Sequence, residues 1–209
     1  MALPPVVSAS SLHVARQIPV WRVADLSGRL VELSGGAEAA HLTAAFGLVL
    51  EAQLCGDRAA WVTLEYSAFF PPDAAKGGID LDALPVVRVP DARAAGRAAD
   101  HLVRSGGFGL VVIDLSSGDA VRSPSPALLQ AALLTRLLGL ARQQDVAVLL
   151  LTKKSPDAPS LHSLISLRAE ARWRAREGRC ELSVRVLKDK RGGAGWTHVE
   201  TCRGPAGVR

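Results

Sequence analysis

Two stretches, GLVVIDL at 109–115 and VAVLLLT at 146–152, are apolar almost without interruption. A strand with one wet face alternates polar and apolar residues. An unbroken run of this length suits a strand covered on both faces, the central position of a parallel sheet clothed by helices. Further strands are expected at 30–34, 60–66 and 86–89, and helices at 38–54, 92–105 and 125–143. The alternation predicts an α/β fold with a mainly parallel central sheet flanked by helices.

The chain changes character near its end. In RAEARWRAR, residues 168–176, Ala169, Ala171, Trp173 and Ala175 share one face. Arg168, Glu170, Arg172, Arg174 and Arg176 share the other. A turn at 177–179 leads to a second alternating run at 180–188 with Leu182, Val184 and Val186 inward. Gly192-Gly193 then turns the chain into a last strand at 195–201. This predicts C-terminal antiparallel strands with one wet, basic face. The first 20 residues form an irregular lead with a short helical hint at 12–16, and the Pro/Gly-rich segments at 71–78 and 203–207 are expected as loop and tail. The expected division is a lead at 1–29, a core at 30–202 and a tail at 203–209.

The 209 residues suffice for one α/β domain with a substantial core. No apolar run reaches the ~18 residues of a membrane span. Residues 2–9 are too short for a signal peptide and lack its basic flank. Cys55, Cys180 and Cys202 are scattered and odd in number, so they read as reduced thiols of a cytoplasmic protein, and no metal-ligand spacing is present. Residues 153–209 carry 13 Lys/Arg against 6 Asp/Glu, a balance of +7, whereas residues 1–152 stand at −2. A basic C-terminal third points either to an anionic partner, nucleic acid or acidic protein, or to arginines coating the solvent face of surface strands.

The segment LVELSGGAEAAHLT, 30–43, has the strand–loop–helix setting of a phosphate-binding loop, whose pattern is G-x-x-x-x-G-K-[ST]. With Gly35 on the first glycine and Gly36 following it, Ala40 stands on the second glycine, His41 on the lysine and Leu42 on the hydroxyl residue. The lysine of that pattern reaches the β- and γ-phosphates and the hydroxyl holds Mg²⁺. Histidine, with an ordinary pKa of about 6.5, is mostly neutral at pH 7, and leucine offers no oxygen. The pattern predicts a degenerate nucleotide site, no catalysis and no cofactor. No Ser/His/Asp or Cys/His set suggests hydrolysis instead.

Several blocks together resemble the core of the bacterial recombinase RecA, from about residue 30 to 200. LVELSGGAEAAHLTAAF looks like the strand and phosphate-loop helix. WVTLEYSAFF looks like the strand carrying the catalytic glutamate, with Glu65 in that place. HLVRSGGFGLVVIDLSSG looks like the Walker B strand, with Asp114 in the magnesium-associated place. VAVLLLTKK puts Thr152 or Lys153 where the recombinase has its nucleotide-sensing glutamine. The final strands resemble the closing hairpin, and Lys188 and Lys190 match a K-x-K pair that reaches a neighbouring subunit's nucleotide. The segments after the Walker B strand and after residue 154 are shorter than the two DNA-binding loops. Among RecA-like families the combination is most similar to ImuA, accessory proteins of SOS mutagenesis. That resemblance implies a non-catalytic adaptor in damage-induced translesion synthesis. Its implied partners are ImuB (an inactive Y-family-like polymerase), RecA and the error-prone polymerase; weak DNA binding and self-association stay open.

Each residue has a plainer reading beside this one. Asp114 is either a Mg²⁺-associated aspartate or a scaffold residue hydrogen-bonded at a strand end. Glu65 is either its catalytic neighbour or a surface carboxylate. Lys188 and Lys190 mark a subunit interface or a solvated strand end. Lys153 and Lys154 precede the shortened second loop and, with Arg172 and Arg174, are candidate contacts to a partner or to DNA phosphates. Trp173 is expected in the core, whereas Trp21 and Trp196 cap the sheet or sit in a partner interface. Two other functions stand as alternatives. One is a division inhibitor like SulA. The other is a nucleotide-binding ATPase with an unusual phosphate loop.

Overall fold

A computed structural model describes residues 21–36, 40–67, 69–116, 129–176 and 179–202. Its elements run α1 (Val23–Leu26), β1 (Arg29–Gly35), α2 (Ala40–Leu54), β2 (Ala59–Leu64), α3 (Pro71–Lys76), β3 (Val86–Val89), α4 (Ala92–Arg104), β4 (Leu110–Asp114), α5 (Ala131–Gln144), β5 (Ala147–Thr152), β6 (Leu167–Arg176), β7 (Arg179–Asp189) and β8 (Thr197–Cys202). All eight strands join one sheet in the order β3-β2-β4-β5-β1-β6-β7-β8. The pairs from β3 to β6 are parallel, and β7 and β8 are added antiparallel. This is the expected α/β sheet with a C-terminal antiparallel extension.

The two apolar runs occupy the centre as β4 and β5, every residue buried. Successive side chains of a strand point to opposite faces, so the sheet feeds two cores. One face, with Val31, Leu33, Trp61, Val112 and Leu149, packs under α2. The other, with Leu30, Val62, Val111, Ile113 and Leu150, packs under α4 and α5. Helix α2 buries Ala44, Ala45, Leu48, Val49 and Ala52 against the strands. Helix α4 starts at Asp91, whose carboxylate accepts the Ala94 N–H at 2.7 Å. Gly96 brings α4 against α5, since a Cβ there would stand 2.1 Å from Leu133 Cδ2.

Several expectations need correction. The expected loop at 71–78 contains α3, because proline is tolerated in a first helical turn and Asp73-Ala74-Ala75-Lys76 can follow it. Helix α5 begins at Ala131, after Gln130, rather than at 125; residues 125–128 lie outside the described part. Arg179 belongs to β7 and not to the turn. Trp21 and Leu26 are buried in the first core and Trp196 packs against it, whereas Trp173 packs there in agreement with its expectation. The helical hint at 12–16, the segment 117–128 and the tail at 203–209 lie outside the described residues.

The largest correction concerns the wet face of β6. Arg168 and Glu170 are 5% and 4% exposed, so this part of the face is covered. The Arg168 guanidinium donates to the carbonyls of Ala158 and Ser155, which belong to the segment joining β5 to β6. That segment folds down onto the strand, a tertiary event that alternation along β6 could not reveal. Further along, Arg172 and Arg174 are exposed as expected.

Candidate functional site

In open α/β sheets the carboxyl ends of the parallel strands carry the ligand sites. Here those ends bring together Gly35 of β1, Asp114 of β4, the residues after β2, and Lys153 and Lys154 after β5.

His41, in the first turn of α2, is 4% exposed. Its ring lies against Gly35: a Cβ added at that glycine would be 2.2 Å from His41 Nδ1 and 2.7 Å from Cγ. Neither ring nitrogen has a hydrogen-bond partner among the described residues, a burial that costs about 1–3 kcal/mol per polar atom. Burial holds the His41 pKa below its ordinary 6.5, opposed by the charge of Asp114 and reinforced by that of Lys153. The imidazole is therefore neutral at pH 7. Ala40 is buried, and Leu42 packs against the first core. Gly36 is exposed.

Asp114 is fully buried at the end of β4. Its Oδ1 accepts from the Ser116 N–H at 3.0 Å and hydroxyl at 2.6 Å. Its Oδ2 accepts from Ser67 Oγ at 3.0 Å and stands 3.4 Å from Thr63 Oγ1. Hydroxyls from three segments thus surround this carboxylate. Glu65, in the turn after β2, is exposed, and its backbone N–H donates to Val89 O. The described residues contain no group of three His, Cys, Asp or Glu placed to hold a metal ion.

The lysines divide sharply. Lys153 is exposed. Lys154 pairs at 2.8 Å with Glu32, a fully buried carboxylate on β1. Glu32 also accepts from Thr152 Oγ1 at 3.0 Å and from the Leu161 N–H at 2.7 Å. Lys188 Nζ lies 3.4 Å from Ser160 Oγ, and Lys190 Nζ donates to the Ser163 carbonyl. Together with Arg168, these groups bind the 153–165 segment from several sides. Arg172 pairs with Glu170 at 2.6 Å, and Arg185 joins the same carboxylate at 3.3 Å. Arg174 is exposed. A cleft of about 490 Å³ lies between these groups, lined by Gly35, Gly36, Lys153, Lys154, Glu170 and Arg172 among others.

Sequence reasoning missed Glu32, the hub of the arrangement. Its signal was present: a carboxylate inside the strand LVELS needs a partner if that strand is central. It also missed the hydroxyls of Ser67 and Ser116, whose role depends on where two separate turns meet.

A model of the RecA N-terminal domain family matches residues 6–125 of this chain. Protein RecA of Corynebacterium pseudotuberculosis (strain C231) is 35% identical over 111 residues, covering 53% of this chain and 30% of that protein. Protein RecA of Corynebacterium glutamicum (strain R) is 36% identical over 111 residues, 53% of this chain and 29% of that protein. Protein RecA of Kineococcus radiotolerans is 40% identical over 87 residues, 42% of this chain and 25% of that protein. The matches thus span less than a third of the length of these relatives.

Proposed function

The chain belongs to the RecA N-terminal domain family, and we propose that it is a non-catalytic, RecA-like adaptor of SOS-induced translesion synthesis. It would act by contact, in the manner of ImuA. Its partners would be ImuB, the error-prone polymerase and RecA, without ATP as cofactor, in the cytoplasm. The observation that carries this reading is His41: in the lysine's place of the phosphate-loop pattern stands a buried, neutral imidazole pressed against Gly35.

We read the residues at this end of the sheet as not fitting a nucleotide's phosphates with Mg²⁺. A neutral ring supplies no charge to a phosphate, Leu42 supplies no metal ligand, and the Asp114 carboxylate is already surrounded by hydroxyl donors. The arrangement of the cations supports a role in contact rather than in polymerisation. Lys188 and Lys190, matched above to lysines that reach a neighbour, are engaged within their own chain. Of the candidate cations, Lys153, Arg172, Arg174 and Lys190 are exposed; Lys190 is bonded to the Ser163 carbonyl and Arg172 is half-committed to Glu170, which leaves Lys153, Arg174 and Arg172. These three are the proposed partner or DNA-phosphate contacts.

The test is capture with the tagged protein from DNA-damaged host extract, nuclease-treated and without nucleotide. Recovery of ImuB or RecA is the expected result. Recovery of the division GTPase instead would replace this reading with a SulA-like one. Capture that requires added ATP would replace it with a nucleotide-dependent one.

A further inference from the structure

We infer that His41 is a built-in plug: its imidazole occupies the seat over Gly35 that an anion would take at the start of α2, and so keeps phosphates out by volume as well as by lack of charge. The inference rests on the reading that the nucleotide site is silent, and it names the side chain responsible.

Three observations carry it. The ring contacts Gly35 so closely that not even a methyl group fits between them. The side chain is 4% exposed although it stands in the first turn of a 15-residue helix, where exposed backbone N–H groups ordinarily attract anions. Both ring nitrogens are buried without a partner among the described residues. A histidine placed for hydrogen bonding would use at least one nitrogen, so this ring is held by packing. The charged groups that face it are Asp114 from the end of β4 and Lys153 from the end of β5. Lys153 is exposed, and it is the cation an anion would meet there once the ring is gone.

The experiment titrates inorganic pyrophosphate, without metal, against the full chain and follows the melting temperature. The wild-type protein is expected to show no shift. His41→Ala is expected to gain a saturable rise of about 3–5 °C at 10 mM if the opened seat binds with a Kd of about 1 mM. Lys153→Gln added to His41→Ala should remove most of that gain. His41→Phe restores the volume without the nitrogens and should stay insensitive. Should His41→Ala not fold, His41→Ser makes the same opening. A folded opening variant with no response would overturn the plug and leave the adaptor reading standing. A response in His41→Phe, or one untouched by Lys153→Gln, would likewise place the anion elsewhere and overturn it. A wild-type melting temperature that rises with Mg-ATP would sink the silent-site reading itself, and the plug with it.

Discussion

Replacing Glu32 with alanine tests whether the buried carboxylate organises the segment between β5 and β6. Glu32 is fully buried in the central strand β1, and three donors converge on it: Lys154 Nζ at 2.8 Å, Leu161 N–H at 2.7 Å and Thr152 Oγ1 at 3.0 Å. Removing the carboxylate leaves the Leu161 and Thr152 donors without their acceptor, at about 1–3 kcal/mol each. It also removes the counter-ion of Lys154. Breaking a buried ion pair from one side costs about 3–5 kcal/mol, but the Lys154 side chain is 19% exposed and can turn to water. The expected loss is therefore about 3–4 kcal/mol, or about 6–16 °C in melting temperature for a chain of this length. Urea unfolding at pH 7 measures it. Amide exchange should quicken at residues 155–165 more than in β4 or β5. The double variant Glu32→Leu with Lys154→Leu should recover part of the loss, because neither charge then needs a partner. A loss below about 1 kcal/mol, or exchange that quickens equally everywhere, would refute the idea that Glu32 holds this segment.

Gly35→Ala should destabilise the domain by about 1–3 kcal/mol through overpacking, because the new Cβ would fall 2.2 Å from His41 Nδ1. His41→Ala should relieve most of that loss, and purely additive losses in urea melts would contradict the contact. The lowered His41 pKa means that the unfolded chain binds more protons between the folded pKa and 6.5. The titration of His41 therefore adds no cost above about pH 6.5 and lowers stability as pH falls from there toward the folded pKa; His41→Phe should flatten the urea midpoint between pH 7.5 and 5.5. Asp189 behaves oppositely. Burial works against its charge, yet the Arg191 and Gly192 N–H groups and the Arg29 guanidinium hold its pKa below 3.8. Its contribution is full above that value and disappears as pH falls through the lowered pKa, so Asp189→Asn should remove part of the acid sensitivity below about pH 3.8. Trp61→Ala should cost about 3–5 kcal/mol, since Trp61 is fully buried with Phe46 and Phe69 centroids at 5.0 and 5.3 Å; a smaller loss would show that this aromatic cluster collapses without it.

Strand identity was legible wherever the local pattern and the burial agreed. The unbroken runs of β4 and β5 announced a two-sided sheet, and the alternation in β6 and β7 announced the hairpin. Gly35 and His41 could be placed against each other as members of one motif. What their contact would be could not, since it depends on how the first turn of α2 returns over β1. The basic face of β6 was half legible. Arg172 and Arg174 are exposed, but Arg168 and Glu170 carry the same alternation and are buried. Period-two patterning says which side of a strand a residue takes, not what lies over that side.

The sequence alone determined the α/β class, the parallel core, the antiparallel extension and the residue types at the phosphate-loop positions. Each follows from short-range periodicity or from identity at fixed spacing, which the chain carries locally. Only the tertiary structure decided which charges are spent and which are free. Lys154 is bound to Glu32 across a separation of 122 positions, Arg29 to Asp189 across 160, and Lys190 to Ser163 across 27. A cation's function depends on the partner that reaches it first, and in this fold the partners come from strands and turns that are distant in the chain.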